Sequence, residues 1–250
     1  MSDDPEQADL DRARELLAAA RHVACLTGAG ISAASGVPTY RGAGGALWDG
    51  LSVEDWATPE GYARDPQRVW RWYSRRRVQL GELEPNRGHR ALAKLQRRVT
   101  HRGGTFTLAT QNIDALHQRA GSVNVLELHG SLTRIRCGVC DCRRDIGHEP
   151  ADEIPACPHC GAPMRPDVVW FGEMLPQDVW NAAAEAAGDC DVFLTVGTSA
   201  VVFPAAGLVE LAAATGATTI EVNLEPTPAS RLVDLPLQGR TDDILPQIVA

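Results

Sequence analysis

The sequence has little of what marks a nucleic-acid-binding or membrane-spanning protein. Its 24 Lys and Arg residues are outnumbered by 32 Asp and Glu residues, so the net charge is −8. A general nucleic-acid binder presents a basic surface, and we therefore expect no nucleic-acid partner. The most apolar window, residues 192–217, is interrupted by Gly197, Pro204, Gly207 and Glu210. This pattern predicts a buried strand, loop and helix rather than a membrane span.

The N-terminal residues also lack the pattern of a secretory signal. Residues 1–4 are acidic, and the first apolar stretch has the period of an amphipathic helix. We therefore expect a cytoplasmic protein with no membrane partner. The sequence leaves the oligomeric state open and is compatible with a monomer.

Alternating apolar segments predict an α/β fold. The 250 residues, 44% hydrophobic and 22% charged, suffice for one elaborated domain or two small ones. Apolar runs of strand length alternate with helical segments, which is typical of a parallel sheet covered on both faces. We predict a Rossmann-like parallel sheet with helices on both faces. The predicted strands are residues 23–27, 105–110, 123–128, 192–196 and 218–222, and the predicted helices include residues 6–21, 86–99 and 179–187.

Two segments interrupt this alternation and predict a smaller second domain. Residues 41–85 are Trp-rich and mostly helical in pattern, and residues 134–166 combine cysteines with Pro and Gly. We interpret both as insertions that pack together, which leaves residues 1–40, 86–133 and 167–250 for the Rossmann-like domain. A cleft between the two domains would be the natural ligand site.

Four of the seven cysteines have the spacing of a zinc ribbon. Two Cys-x-x-Cys pairs are separated by sixteen residues, and two such turns can bring four thiolates around one ion. A closed four-thiolate site leaves no open position, so the predicted zinc is structural; a redox-active pair is the alternative. The role of Cys142 is open, and His159 is a further candidate ligand. The predicted ligands are Cys137, Cys140, Cys157 and Cys160.

A glycine-rich loop follows the first predicted strand. Gly28-x-Gly30-x-x-Ala33 fits the loose dinucleotide fingerprint, in which glycines let the backbone approach a pyrophosphate. A helix is expected from Ile31, with its first amides directed at the charge. The acidic residue expected about twenty positions later is not convincingly present, since Asp49 lies in a Gly-rich loop. A hydride-transferring Rossmann enzyme is therefore disfavoured.

Polar residues follow two of the predicted strands. Gln111, Asn112 and Asp114 come directly after residues 105–110, and side chains at the carboxyl ends of parallel strands usually face the ligand cleft. Asp114 could equally be part of a helix cap at residues 113–119. His129 ends another predicted strand. Histidine suits proton transfer near neutral pH, although a lone histidine after a strand is more often structural.

Together, in this order, these motifs resemble the sirtuins, the NAD-dependent protein-lysine deacylases. The resemblance runs from about Val23 to the C-terminus. It implies NAD as a co-substrate, one structural zinc, and acyl-lysine-bearing proteins as substrates. It rests on Gly28-Ala29-Gly30-Ile31-Ser32, Ser35-Gly36-Val37-Pro38, Tyr40-Arg41-Gly42, Gln111-Asn112-Ile113-Asp114, Leu128-His129-Gly130-Ser131 and the four cysteines. The family often has Phe at the position of Tyr40.

The resemblance also implies site residues and a mechanism. Asn112 and Asp114 line the nicotinamide pocket, and His129 is the catalytic base. The acyl oxygen attacks the nicotinamide ribose, nicotinamide leaves, and His129 takes a proton from a ribose hydroxyl, which yields lysine and O-acyl-ADP-ribose. The implied NAD contacts are Gly28, Ala29, Gly30, Ser32, Pro38, Tyr40, Arg41, Trp48, Gln111, Asn112, Ile113, Asp114, Gly197, Thr198, Ser199, Asn223, Leu224, Glu225 and Thr241.

A further motif bears on the acyl group. Tyr73 and Arg76 share a helix face and resemble the Tyr-x-x-Arg signature of the sirtuins that remove acidic acyl groups. Ala57 matches the small residue that widens the acyl pocket in that subgroup. The resemblance implies a desuccinylase or demalonylase with some deacetylase activity. The implied peptide-binding residues are Val169, Phe171 and Gly172.

Three alternatives remain open on the sequence. Tyr73 and Arg76 could belong to a solvated, Arg-rich helix face. The chain could instead be a mono-ADP-ribosyltransferase or NAD hydrolase. It could also be a non-catalytic binder with a vestigial nucleotide fold, although the polar set speaks against this.

Overall fold

The computed structural model describes residues 5–39 and 52–250. The strands are β1 His22–Thr27, β2 Thr105–Thr110, β3 Leu126–Glu127, β4 Gly130–Cys137, β5 Arg143–Asp145, β6 Met164–Val168, β7 Val192–Val196, β8 Thr218–Asn223 and β9 Leu235–Gln238. The helices are α1 Pro5–Ala19, α2 Val53–Trp56, α3 Pro59–Arg64, α4 Pro66–Glu82, α5 Arg87–His101, α6 Leu116–Arg119, α7 Gln177–Asp189, α8 Gly207–Ala214 and α9 Thr241–Ile248.

The main sheet is parallel and has the strand order β3-β2-β1-β7-β8-β9. In chain order this is 3-2-1-4-5-6, the doubly wound arrangement of dinucleotide-binding folds. β1 and β7 are buried along nearly their whole length because helices cover both faces. Apolar clusters lie on the two sides of the sheet, one with α1, α5 and α9 and the other with α7 and α8. The predicted Rossmann-like sheet is thus confirmed.

Side-chain caps set the starts of several helices around the site. Asn86 accepts hydrogen bonds from the backbone N–H groups of Gly88 and His89, at the start of α5. Asp65 caps α4 through the N–H of Arg68, and Pro66 occupies the first turn, where its missing N–H costs nothing. Such caps satisfy orphan donors and typically stabilise a helix by about 1 kcal/mol.

A second, antiparallel sheet has the order β5-β4-β6. Its face packs against α4, where Trp70 is fully buried. Trp70 Nε1 donates to the carbonyl of Ala151 at 2.8 Å, and Ser74 Oγ accepts from the N–H of Ala151 at 3.0 Å. These contacts join the helical segment to the cysteine-bearing segment.

Two of the predicted elements differ from the structure, and the described helices also bear on the question of a membrane span. The strand predicted at residues 123–128 forms only at Leu126–Glu127, because Asn124 is left-handed (φ 52°) and Val123 is exposed. The helix predicted from Ile31 is replaced by two 3₁₀ turns, Ala29–Ile31 and Ala33–Ser35. No described helix is both long enough and apolar enough to cross a membrane.

Candidate active site

Two glycine loops meet where the strand order of the main sheet reverses, between β1 and β7. Gly28 follows β1 and Gly197 follows β7, and the N–H of Gly30 donates to the carbonyl of Gly197 at 2.7 Å. A Cβ on Gly30 would lie 2.7 Å from the Cα of Gly197, and a Cβ on Gly28 would lie 2.8 Å from the Cα of Thr198. These glycines are therefore required by the packing of one loop on the other. The crevice at such a switch point is the usual ligand site of this fold.

Polar side chains tie the loops together at the same edge of the sheet. Gln111 Nε2 donates to Thr198 Oγ1 at 3.0 Å, and Asn112 Nδ2 donates to the carbonyl of Gly28 at 3.0 Å. Asn223, at the end of β8, donates to the carbonyl of Thr198 at 3.1 Å. Residues that are distant in sequence are thus brought together in one crevice.

Thr241 belongs to the same crevice, because its Oγ1 donates to the carbonyl of Gly30 at 3.4 Å. Ser199, Leu224 and Glu225 lie exposed in the loops that follow β7 and β8. Further predicted contacts lie outside the described residues, namely Tyr40, Arg41 and Trp48.

A buried polar network lies beneath the glycine loop. Ser32 is fully buried; its Oγ donates to Asp114 Oδ2 at 2.7 Å and lies 3.3 Å from His89 Nε2. Burial raises the pKa of Asp114 above its ordinary value, although the bonds from Ser32 and the N–H of Leu116 oppose this. Burial lowers the pKa of His89 to about 4.

Two buried histidines, His89 and His117, pack together beneath this network. His117 is also buried; its ring packs edge-on against His89, and its Nε2 lies 2.9 Å from Thr27 Oγ1. Burial holds its pKa well below the ordinary value, and His89 lowers it further. The capping box at the start of α5 is a sequence signal that could have identified His89. His89 is the third residue of this helix, and its Nδ1 accepts from the N–H of the capping residue Asn86.

His129 lies between β3 and β4 and points one ring nitrogen at the polar cluster. Its Nδ1 lies 2.9 Å from the backbone carbonyl of Gln111. Because a carbonyl only accepts, Nδ1 carries the proton in the neutral ring, and Nε2 is left with a lone pair. Burial lowers the pKa of His129, and the bond to Gln111 opposes this only in part. The ring is therefore neutral near pH 7 and able to accept a proton at Nε2.

An open cleft connects the polar cluster with the helical segment. One wall is formed by Gln111, Asn112 and Asp114, and the other includes Arg76 and Leu80 of α4. Pro38, another predicted contact, and Ala29 also line this space. The cleft is lined both by the polar cluster and by Arg76 of the Tyr-x-x-Arg motif.

The Arg residues of α4 point in different directions, which speaks against one uniformly solvated face. Arg71 and Arg75 are exposed, whereas Arg77 is fully buried and donates to the carbonyl of Glu149 at 3.1 Å. Arg76 is half-buried at the cleft, with its guanidinium 4.9 Å from the ring centre of Trp72.

Tyr73 and Ala57 lie in one apolar cluster beside the cleft. Tyr73 is 3% exposed, and its hydroxyl accepts a hydrogen bond from Trp170 Nε1 at 2.9 Å. The carbonyl of Ala57 accepts from the N–H of Phe171 at 2.9 Å. The structure thus places Tyr73, Ala57 and the segment after β6 together.

In the segment that the resemblance implies for peptide binding, three backbone N–H groups already donate to other groups of the protein. The N–H of Val169 donates to His129, that of Trp170 to Glu173 Oε2, and that of Phe171 to Ala57. A bound extended peptide would therefore pair with carbonyl groups here or with the backbone of Gly172, whose φ is +88°.

The four predicted zinc ligands form one cluster. Their Sγ atoms lie within 4.8 Å of one another, with separations of 3.5, 3.6 and 3.7 Å for three of the pairs. Tetrahedral zinc with Zn–S bonds of about 2.3 Å needs S···S separations of about 3.8 Å, so the donor set fits the ion. Backbone N–H groups of Val139 and Cys140 point at Cys137 Sγ, and that of His159 points at Cys157 Sγ.

Neither of the two further candidates joins this cluster among the described residues. Cys142 contributes its carbonyl to the N–H of Cys137, and the side chain of His159 is exposed. Burial raises the pKa of the other two thiols, Cys25 and Cys190, as expected for unreactive packing residues.

This chain is similar in sequence to proteins named NAD-dependent protein deacylase. The sequence pattern of the Sir2 family matches residues 28–204. A protein named NAD-dependent protein deacylase, from Thermus thermophilus, is 52% identical over 229 residues, which cover 92% of this chain and 89% of the relative. Another protein of that name, from Mycobacterium tuberculosis, is 45% identical over a stretch that covers 91% of this chain and 96% of the relative.

Solved structures agree with the sequence matches. The complex of a Sir2 homologue with NAD has a TM-score of 0.88 at 40% identity and covers 96% of this chain and 92% of that one. The structure of Sir2Af2 bound to a myristoylated histone peptide has a TM-score of 0.75 at 37% identity. The match covers 97% of this chain and 95% of that one. With most of its length matched by both sequence and fold, this chain belongs to the Sir2 family.

Proposed function

We propose that this protein is an NAD-dependent protein-lysine deacylase that prefers acyl groups ending in a carboxylate, such as succinyl and malonyl. The observation that carries the proposal is the cleft, which joins Arg76 of α4 to Gln111, Asn112 and Asp114. Family membership supports the reaction class, and the side chains at the far wall of the cleft support the acyl preference.

NAD supplies the ribose that accepts the acyl group and the nicotinamide that leaves. The loops after β1, β7 and β8 would hold its adenosine and phosphate parts, since they form the crevice at the switch point. Asn112 and Asp114 would line the nicotinamide end. Asp114 is 4% exposed with a raised pKa, and it holds Ser32 and the start of α6 in place.

His129 would act as the general base. The carbonyl of Gln111 fixes the tautomer, so that Nε2 can take a proton from a ribose hydroxyl. The zinc, held by the four cysteines, would be structural: a closed four-thiolate site has no position for substrate. Its role is to hold the small sheet beside α4.

The acyl preference would arise from Tyr73 and Arg76. A carboxylate that enters a partly buried cleft loses hydration, which is costly unless charge and hydrogen bonds replace it. Arg76 offers opposite charge and Tyr73 a hydroxyl, and Ala57 leaves room because its side chain is small. An acetyl group is too short to reach the pair.

We expect Arg76→Met to lower kcat/KM for a succinyl-lysine peptide by tenfold or more, since hydrogen bonds to charged groups contribute about 1.5–3 kcal/mol. Deacetylation should change far less, and Tyr73→Phe should act in the same direction more weakly. Matched acetyl, malonyl, succinyl, glutaryl and myristoyl peptides would be assayed with and without NAD.

Arg75→Met provides the matched control, because Arg75 lies exposed on the same helix. It should leave the ratio of succinyl to acetyl activity unchanged. If Arg76→Met lowered both activities equally, α4 would merely support the fold, and the protein would be a general deacetylase. Detection of ADP-ribosylated protein or free ADP-ribose in place of O-acyl-ADP-ribose would favour the transferase or hydrolase alternative.

A further inference from the structure

Trp170 makes a hydrogen bond that the motifs do not predict. It directly follows the Val168-Val169 pair and is 2% exposed. Its indole Nε1 donates to the hydroxyl of Tyr73 at 2.9 Å. The two rings lie 6.2 Å apart in the same apolar cluster as Ala57. An indole thus contacts directly the hydroxyl proposed to recognise the acyl carboxylate.

The indole ring is held in place from several sides. The guanidinium of Arg165 lies 3.4 Å from the ring centre, and Tyr62 packs 5.1 Å away, centre to centre. Arg165 is itself fixed by two bonds to Glu173, of 2.6 and 3.0 Å, and Glu173 also accepts from the backbone N–H of Trp170. Buried rings clamped in this way have a defined orientation, so the direction of the Nε1–H bond is defined as well.

Glu173 is ionised in this arrangement. Burial alone would raise its pKa, but hydrogen bonds from Arg165 and the N–H of Trp170, with the charges of Arg165 and Arg136, outweigh burial and lower it. The clamp on Trp170 is therefore a charged one and persists across the neutral pH range.

The chemistry of the two groups determines which of them donates. An indole N–H can only donate, whereas a phenol hydroxyl has one donor and can accept. The Tyr73 oxygen must therefore accept from Trp170, and its own O–H bond must point away from Trp170. A hydroxyl that accepts one hydrogen bond is also a stronger donor of the next.

We propose that Trp170 is a positioning residue for acyl specificity: it orients and polarises the Tyr73 hydroxyl so that the hydroxyl donates to the carboxylate of the acyl group. This inference rests on the proposed function, because it presumes that Tyr73 meets a carboxylate. A donor aimed at an anion makes one of the stronger hydrogen bonds, and the N–H of Trp170 excludes the rotamer in which the Tyr73 O–H bond points toward the indole.

The test compares Trp170→Phe with Trp70→Phe. Each replacement deletes one buried indole N–H and keeps an aromatic ring, but Trp70 Nε1 donates to the carbonyl of Ala151, in the separate apolar cluster that contains Cys137 and Cys157. We expect Trp170→Phe to lower kcat/KM for the succinyl peptide by about threefold to tenfold, the range of a single neutral hydrogen bond. The loss should appear mainly in KM, because the carboxylate is bound in both ground and transition states. Acetyl activity should change by less than about twofold.

The double variant Trp170→Phe/Tyr73→Phe makes the test specific. If Trp170 acts through the Tyr73 hydroxyl, its replacement should have no further effect on desuccinylation once that hydroxyl is absent. Trp70→Phe should change the melting temperature but not the ratio of succinyl to acetyl activity. Additive effects in the double variant, or equal loss of both activities in Trp170→Phe, would overturn this inference alone. A wild-type enzyme with no preference for the succinyl peptide would overturn the proposed function and this inference with it.

Discussion

At the scale of single residues, the site depends on which atom of each side chain is already engaged. His129 has its Nδ1 on the carbonyl of Gln111, which leaves Nε2 for chemistry. Asn112 Nδ2 donates to the carbonyl of Gly28 and to Ser32 Oγ. Tyr73 accepts from Trp170. Each bond fixes which atoms of the side chain are already engaged, and none of these bonds is encoded by the residue type alone.

His129→Ala should leave the fold intact and nearly abolish deacylation. The loss should be at least the roughly 10²–10⁴-fold of a positioned general base, while nicotinamide release survives in part. Because burial lowers the pKa of His129, the acidic limb of kcat/KM in the wild type should lie below the ordinary histidine value of about 6.5. A variant that deacylates at close to the wild-type rate would contradict the assignment.

At the scale of elements, short contacts between loops and turns decide whether the site can form. The loops after β1 and β7 touch through glycine backbones, and the small sheet is held to α4 by hydrogen bonds to Trp70 and Ser74. The four clustered cysteines lie at the end of β4 and in loops beside the small sheet, and Tyr73 and Arg76 lie on α4. Unfolding of the cysteine-bearing segment should therefore also disturb α4 and the cleft that Arg76 lines.

Gly30→Ala should lower the melting temperature and NAD affinity, because the added Cβ would meet the backbone of Gly197 at 2.7 Å. Overpacking of this kind typically costs about 1–3 kcal/mol. Gly188→Ala is the control: it lies in α7 with no atom within 4 Å of its added Cβ. Calorimetric melting and NAD titration would measure both, and an unchanged melting temperature for Gly30→Ala would refute the close packing of the two loops.

We expect one zinc per chain, and Cys140→Ser should release it and unfold the small sheet, because metal binding and folding are coupled. Cys142→Ser should keep the metal, since Cys142 is not one of the four clustered thiols. Elemental analysis and melting curves would measure both variants. Zinc retained in full by a Cys140→Ser/Cys160→Ser double variant would count against this site.

At the scale of the whole molecule, uncharged histidines in the interior couple stability to pH. His89 and His117 are buried against each other beneath the active site. Burial holds both of their pKa values below the ordinary value, to about 4 for His89. In the unfolded chain these side chains would take up protons at about pH 6.5, whereas in the folded protein they remain neutral until the pH is much lower.

The contribution of these histidines to the free energy of unfolding should therefore be complete above about pH 6.5 and should be lost as the pH decreases toward 4. The loss should be up to about 1.4 kcal/mol per pH unit for each histidine. His117→Gln should make this dependence shallower. His101→Gln replaces an exposed histidine of the same protein and serves as the control. Denaturant unfolding between pH 5 and pH 7.5 measures the slope, and an identical slope for wild type and His117→Gln would contradict the assignment.

Much of this protein is determined by the sequence itself. The apolar strand runs and the spacing of the four cysteines predict the sheet and the four-thiol cluster, because burial and metal geometry act on local patterns. The 3₁₀ turns after Gly28 are not predicted, since local propensity gives way there to packing against the loop after β7. The strand β3 is shorter than predicted because Asn124 adopts a left-handed backbone. Only the tertiary structure decided which side chains touch: the bond from Trp170 to Tyr73 spans 97 residues and that from Ser32 to Asp114 spans 82. Such contacts depend on how the elements pack in three dimensions, which the periodicity of a single chain does not record.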